Sequence, residues 1–300
     1  MMLLCENHEQ RWMAVNGVNT RYFDAGTGKP VVLLHGGGIG DPIGASNAED
    51  WSINFDTIAQ THNAIALDRL GQGYTDNPLT DADYTMRASV AHAADFLKLL
   101  GKAPYHLVGH SRGGYLACQI TLQHPDLVAS CFMIDSATSA PGMERNPYVF
   151  ATNPHGRANP KAIEYCYRGY AYSTEHMTDD WLKNKVEIMM LEKTQHSIVK
   201  MFDEGLMHSL FWPSLRSDRE QLHIDLEHRG LLRPTMLFWS AQDPTAPIEN
   251  GHDFFKLLSH RQRRTQMHVV TRAGHFSHRE QPEVFRRVLA EFLEGVSLGV

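Results

Sequence analysis

Paired cysteines, long apolar runs and a strong charge of either sign are all missing from this chain. Four cysteines, Cys5, Cys118, Cys131 and Cys166, are scattered without a paired spacing. That excludes a disulfide scaffold and leaves reduced, partly buried thiols and a cytoplasmic setting as the expectation. No apolar run approaches the length of a membrane-crossing helix, and Met1-Met2-Leu3-Leu4-Cys5 meets Glu6 too early for a secretory apolar region. A formal charge of −6, from 28 basic against 34 acidic residues, gives no encouragement to a surface for nucleic acid or an anionic membrane. There is no internal repeat and no low-complexity tract. Histidine is abundant, at 18 residues, yet no H-x-x-x-H or Cys/His set forms a persuasive metal site. Neither an essential metal nor a redox cofactor is implied, so the cofactor expectation is none.

What remains is an ordinary globular composition, 42% apolar and 21% charged over 300 residues. This suits one large α/β domain or a core with an inserted segment. Short apolar runs at 31–34, 64–67, 105–108, 131–134, 235–239 and 267–270 read as strands. Val90, Ala94 and Leu97 recur at helical spacing, residues 113–123 read as a helix, and Val284, Val288 and Phe292 form one stripe of a final helix that Pro282 opens. Strands alternating with helices predict a mostly parallel sheet covered on both faces. From about residue 141 the pattern changes. Pro141, Pro147, Pro154 and Pro160 punctuate the chain, and tyrosine-rich and methionine-rich helical stretches follow. The expected organisation is a core formed by 1–140 and 230–300, with a helical cap at 141–229 closing a cleft above the strand ends.

The chemistry centres on Gly109-His-Ser-Arg-Gly113. A G-x-S-x-G pattern between a strand and a helix predicts a nucleophile elbow, in which small neighbours let Ser111 sit on a sharp turn. A serine hydroxyl needs a base and a group to orient that base. His275, between the last strand and the last helix, is the candidate base. Asp243, just beyond the strand at 235–239, is the candidate acid, and Asp135 beyond the strand at 131–134 competes for that role. The order Ser111, Asp243, His275 is one of the known triad orders. His35-Gly-Gly-Gly38 also ends a strand. Backbone N–H groups of Gly37 and Arg112 are the expected oxyanion donors, with Gly38 allowing close approach. The loop has neither the lysine of a phosphate-binding loop nor a dinucleotide fingerprint.

Together with Asp68-Arg-Leu-Gly-Gln-Gly-Tyr-Thr-Asp76, Asp243-Pro-Thr-Ala-Pro247 and Gly274-His275, these phrases resemble the α/β-hydrolase superfamily over nearly the whole chain. Ser111 speaks against the haloalkane dehalogenase and epoxide hydrolase branches, whose elbow residue is aspartate. A closer resemblance is to the meta-cleavage product hydrolases, which open a carbon–carbon bond in vinylogous 1,5-diketones made by extradiol ring cleavage. His35-Gly-Gly-Gly-Ile-Gly40 followed by Trp51-Ser52, Gly71-Gln-Gly-Tyr-Thr-Asp76, and Met177-Thr-Asp-Asp-Trp-Leu-Lys-Asn-Lys185 carry it.

Three positions depart from the family. His110 stands where asparagine is usual before the nucleophile, and Phe276 where tryptophan follows the base. Lys185 falls where a cap arginine engages the substrate carboxylate, and lysine lacks the planar bidentate fork. The resemblance implies substrate contacts at Gly38, Trp51, His110, Lys185 and Phe276. Packing is the other reading of Trp51 and Phe276, and a solvated helix position that of Lys185. Tyr165, Tyr167 and Phe211 offer either an apolar pocket or cap-to-core packing. The implied function is serine-dependent hydrolysis of a 2-hydroxy-6-oxo-hexa-2,4-dienoate-type small molecule, by a soluble enzyme that could form a homodimer. A carboxylesterase with the same triad is the alternative, and a non-enzymatic ligand-binding member is the alternative of a different class.

Overall fold

The computed structural model describes residues 2–145, 149 and 151–299; Met1 and Pro147 lie outside the described residues. Eight strands form one sheet in the order β1-β2-β4-β3-β5-β6-β7-β8. They are β1 (Arg11–Val15), β2 (Val18–Ala25), β3 (Pro30–Leu34), β4 (Asn63–Leu67), β5 (Tyr105–His110), β6 (Val128–Ile134), β7 (Thr235–Ser240) and β8 (Thr265–Val270). From β4 across to β8 every pairing is parallel. β1 and β2 are antiparallel and close one edge.

The sequence reading passes over that edge hairpin. Its strands mix polar and apolar residues because one edge faces solvent, but its turn is legible. Asn16 and Gly17 both take positive φ, 50° and 88°, and Val15 pairs with Val18 across them. An Asn-Gly pair is the usual two-residue hairpin turn, since its twist matches that of the flanking strands.

The central strands are apolar throughout because both faces are covered. Alternation then sorts side chains between two cores. Val32, Leu34, Leu107, Cys131 and Met133 face one core, shared with α1 (Met86–Leu100) and α2 (Arg112–Gln123). Val31, Leu33, Val108, Phe132 and Ile134 face the other, beneath the C-terminal helix Pro282–Leu298, whose Val288 and Phe292 are buried there. The helices obey local rules. Thr85 caps α1 by accepting the Ala88 N–H, and Gly101 ends it at φ 68°. All four cysteines are free.

Between β6 and β7 the chain leaves the sheet for an inserted helical region. It contains α3 (Pro160–Tyr170), α4 (Asp179–Met190), α5 (Glu192–Ile198) and α6 (Trp212–Arg229). Asn159 caps α3 with Pro160 at its first position, and Thr178 caps α4. Two π-helical turns, Val199–Asp203 and Met207–Phe211, lie between α5 and α6. Among the described residues no helix is long and apolar enough to cross a membrane.

β5 crosses α2 with no space to spare. A Cβ on Gly109 would lie 2.2 Å from the Gly113 carbonyl oxygen, and one on Gly113 would lie 2.1 Å from that of Leu34. Both obstacles are backbone and cannot swing aside. Gly113→Ala is therefore expected to cost roughly 3 kcal/mol or more. Gly156→Ala, at φ 77° with nothing within 4 Å, should cost only the backbone strain of about 1 kcal/mol. Urea midpoints would compare the two, and equal losses would remove the steric account.

Candidate active site

β5 ends in Gly109-His110, and the chain turns into α2 at Ser111 with φ 53° and ψ −122°. A side-chain-bearing residue held there stores about 1–3 kcal/mol of strain, which the surroundings must offset. The Ser111 N–H donates to the Ile134 carbonyl at 2.8 Å. Its own carbonyl accepts from Gly114 N–H at 2.9 Å and from the Ser136 hydroxyl at 2.7 Å. The elbow is thus fastened to the end of β6, with the positive end of the α2 dipole beside Ser111.

His275 sits in the loop after β8. Its Nδ1 lies 2.6 Å from Asp243 Oδ2. The other Asp243 oxygen accepts the Thr245 N–H, the Thr245 hydroxyl and the Ala246 N–H at 2.7–2.9 Å. A carboxylate held in this way makes Nδ1 the donor and leaves Nε2 free to take a proton. Burial pulls His275 toward the neutral form, but the Asp243 charge outweighs it and raises the imidazole above its ordinary value. Asp135 is close enough to add to that field, yet its carboxyl accepts instead from Ser240 N–H at 2.7 Å and from the Ser277 hydroxyl. Burial and the neighbouring Asp243 push Asp135 well above the usual carboxylate range. The imidazole contact goes to Asp243, the acid the sequence favours, and not to its competitor Asp135.

The His275 loop is anchored to the helical insertion. The His275 N–H donates to the Tyr170 carbonyl at 2.7 Å. The Glu280 carboxylate accepts from Gly274, Tyr172 and Ser173 N–H groups at 2.8–2.9 Å, so one side chain joins the loop to the segment after α3. His110 makes a third tie: its Nε2–H donates to the His275 carbonyl at 2.7 Å. A carbonyl can only accept, which fixes the His110 tautomer. Burial first, then the neighbouring His275, hold His110 well below the ordinary imidazole value. Sequence reasoning missed Glu280 because nothing in its local pattern separates it from a solvated helix-start acid.

The glycine loop after β3 is set by a buried cation. Arg69 Nη1 donates to the carbonyls of His35, Gly36 and Gly37 at 2.8, 2.9 and 3.3 Å. The Arg69 N–H donates to His35 Nε2 at 3.0 Å, so His35 is neutral and its Nδ1–H turns to the Gly36 carbonyl at 2.9 Å. Burial lowers His35 to about 4. These carbonyls are tied back on Arg69, and Gly37 lines the cavity. Asp68 holds the next turn: it accepts from Arg21 Nε, Tyr74 N–H and Ala48 N–H at 2.7–2.8 Å. A Cβ on Gly73 would lie 2.2 Å from that carboxylate, hence the glycine.

Ser111, His275, His110, Gly37, Arg112 and Phe276 all line one cavity of about 230 Å³. The helical insertion roofs it with Tyr167, Tyr170, Phe202, Met207 and Trp212. Of the three aromatic residues read as pocket candidates, Tyr167 lines it. Tyr165 packs edge-on against His155, and Phe211 against Trp212.

Three expected substrate contacts are placed elsewhere. Trp51 is fully buried against His278 and Phe285, because its indole fills the second core. Gly38 makes room for the Arg112 side chain, since a Cβ there would lie 2.1 Å from Arg112 Nη1. Lys185 is neither solvated nor turned to the cavity. It is fully buried, and its Nζ lies 2.5 Å from both Asp50 Oδ1 and Asn47 Oδ1. Trp181 Nε1 donates to the same Asp50 oxygen at 3.2 Å, and Asn184 accepts from Asn47 Nδ2 at 2.9 Å. α4 is therefore latched to the loop before Trp51. A lone buried ammonium is too costly to leave unpaired, so the lysine is spent on that latch.

The Alpha/beta hydrolase family model matches residues 31–288. A 2-hydroxy-6-oxo-6-(2'-aminophenyl)hexa-2,4-dienoic acid hydrolase of Metapseudomonas resinovorans is 27% identical, over 95% of this chain and 90% of that protein. A 2-hydroxy-6-oxononadienedioate/2-hydroxy-6-oxononatrienedioate hydrolase of Burkholderia vietnamiensis is also 27% identical, over 92% and 91%. Among solved structures, a meta-cleavage product hydrolase from Pseudomonas fluorescens IP01 superposes with a TM-score of 0.77 at 25% identity, covering 95% of this chain and 97% of that one.

Two variants separate the aspartates. Asp243→Asn should lower kcat by about 10³–10⁴-fold through the wrong imidazole tautomer. It should also move the rising limb of the pH–rate profile down, because the charge that stabilises the imidazolium is lost. In the wild type that limb should sit above the ordinary imidazole value, since a base must be neutral to act. Asp135→Asn should cost far less in kcat; a loss equal to that of Asp243→Asn would reverse the assignment. At the latch, Lys185→Met should destabilise by about 3–5 kcal/mol, by leaving Asp50 buried without its partner. Denaturant unfolding reads this, and an unchanged midpoint would count against a structural role.

Proposed function

Since this chain belongs to the alpha/beta hydrolase family, we propose that it cleaves a carbon–carbon bond in a 2-hydroxy-6-oxo-hexa-2,4-dienoate-type product of aromatic ring fission, using Ser111, His275 and Asp243. The observation that carries this reading is a likeness to dienoate hydrolases over about nine-tenths or more of the chain, helical insertion included. A likeness confined to the sheet would speak only for the fold. The site agrees with it: a serine on a strained elbow, a histidine polarised by a buried carboxylate, and a mostly apolar cavity closed over both by helices.

In the proposed sequence His275 first relocates a proton of the dienol, giving the keto tautomer with carbon 5 saturated. The Ser111 hydroxyl, or a water activated through the same histidine, then adds to the carbon 6 ketone as His275 takes the proton. The N–H groups of Gly37 and Arg112 receive the oxyanion, which the α2 dipole favours. Collapse of the adduct breaks the bond between carbons 5 and 6. The electron pair passes into the dienoate and the proton returns from His275; where Ser111 has added, water activated by His275 then hydrolyses the acyl-serine, so either route consumes one water per pair of acids released. Phe276 and Tyr167, stacked at 5.5 Å, supply a flat apolar wall beside this chemistry. The other triad chemistry, ester hydrolysis, needs no proton relocation along a diene.

Purified wild type and Ser111→Ala should be compared on a panel of ring-fission dienoates and short aryl esters, with product masses recorded. Dienoate cleavage into two acids, favoured over ester turnover and at least ~10³-fold slower in the variant, is the expected outcome. Ester turnover without dienoate cleavage would assign the same three residues to a carboxylesterase. Activity unaffected by Ser111→Ala would remove the nucleophile itself.

A further inference from the structure

Arg112 brings more to the site than a backbone N–H. Arg112 lines the cavity that Ser111 and His275 share, and its guanidinium shares that region with Trp212, another lining residue. It lies over the rings of Phe211 and Trp212, 5.2 and 5.6 Å from their centroids. A cation–π contact spends none of the guanidinium N–H groups on a conventional acceptor. Gly38 makes the space the fork occupies, since any side chain there would collide with Nη1.

The neighbouring cations are already committed. Lys185 serves Asp50 and Asn47, Arg21 serves Asp68, and Arg69 serves three loop carbonyls. Arg279 donates to the carbonyls of Asp50 and His176 at 2.8 and 3.2 Å. Asp41 is the cavity carboxylate whose field reaches Arg112. One of its oxygens is taken by the Ile43 and Gly44 N–H groups, both at 3.1 Å, and among the described residues it forms no ion pair with Arg112. Burial also pushes the Asp41 carboxyl above the usual range, which weakens its claim on the guanidinium.

Resting on the dienoate reading above, we propose that the Arg112 side chain is the receptor for the carbon 1 carboxylate of the substrate, the role that the buried Lys185 is not placed to fill. A planar fork beside aromatic rings presents two parallel N–H donors, the geometry a carboxylate accepts bidentately. Anchoring that carboxylate next to the elbow fixes one end of the dienoate and sets which carbonyl reaches Ser111. The anchor stands on the core, one residue from the nucleophile, and the helical insertion contributes the stacking rings. This makes Arg112 a specificity-determining residue through its side chain, independently of its main-chain N–H.

Calorimetric binding of hexa-2,4-dienoate, a carboxylate that cannot be cleaved, and of its primary amide tests this on wild type, Arg112→Gln and Arg112→Lys. Ring-fission dienoate turnover is measured alongside. The wild type should prefer the acid by roughly tenfold or more, as charge-assisted hydrogen bonds imply. Arg112→Gln should reduce the ratio to about one, Arg112→Lys should hold it between, and KM for the dienoate should rise more than kcat falls. Arg112→Met, which keeps an apolar stem over the two rings, carries the same expectation if the glutamine variant melts early. An acid preference missing from the wild type, or intact in folded Arg112→Gln or Arg112→Met, overturns the proposal. An Arg112-dependent preference without dienoate turnover would sink the carbon–carbon reading while supporting Arg112 as a carboxylate receptor.

Discussion

The crossing of β5 and α2 at Ser111 is the constraint on which the rest of the site depends. Two backbones meet there at a distance that admits only glycine on either side, at Gly109 and Gly113. The serine between them is forced into a conformation that side-chain-bearing residues rarely adopt. That strain is offset by hydrogen bonds to Ile134, Gly114 and Ser136 and by the burial of the parallel sheet beneath. A looser crossing would let Ser111 relax into the helix and withdraw its hydroxyl from the cavity.

Around this point the molecule solves a recurrent electrostatic problem with paired buried polar groups. Three of the buried charges are matched to donors or acceptors of fixed geometry: Asp68 with Arg21 and two N–H groups, Asp50 with Lys185 and Trp181, Arg69 with carbonyls. These pairings contribute less to net stability than to register, because desolvation offsets much of their attraction. Their effect is to tie three loops and the helical insertion into one arrangement. Glu280 and His110 do the same for the His275 loop, so the base is located by its backbone as firmly as by Asp243.

The parallel strands, the elbow and the order of the serine, aspartate and histidine were legible in the chain because each depends on local rules. Apolar runs bounded by glycine or aspartate mark buried strands, and G-x-S-x-G marks a turn with no room for side chains. The edge hairpin was less visible because half-exposed strands carry mixed residues, although Asn16-Gly17 held the signal. Lys185 was misplaced for another reason. The phrase around it reads as a substrate-facing helix, yet Trp181, Asn184 and Lys185 project together toward Asn47 and Asp50. No local pattern reveals which wall of a cleft a helix will present.

The sequence by itself determined the fold class and pointed to the serine proposed as nucleophile and the residues proposed as its base and acid, since spacing and strand-end position are written along one dimension. Only the tertiary structure decided between Asp243 and Asp135, fixed the tautomers of His35, His110 and His275, and showed which cations were spent. Those outcomes depend on distances of a few ångströms between residues up to 229 apart in the chain. Hydrogen bonds and desolvation act at that range, and sequence separation carries no information about it.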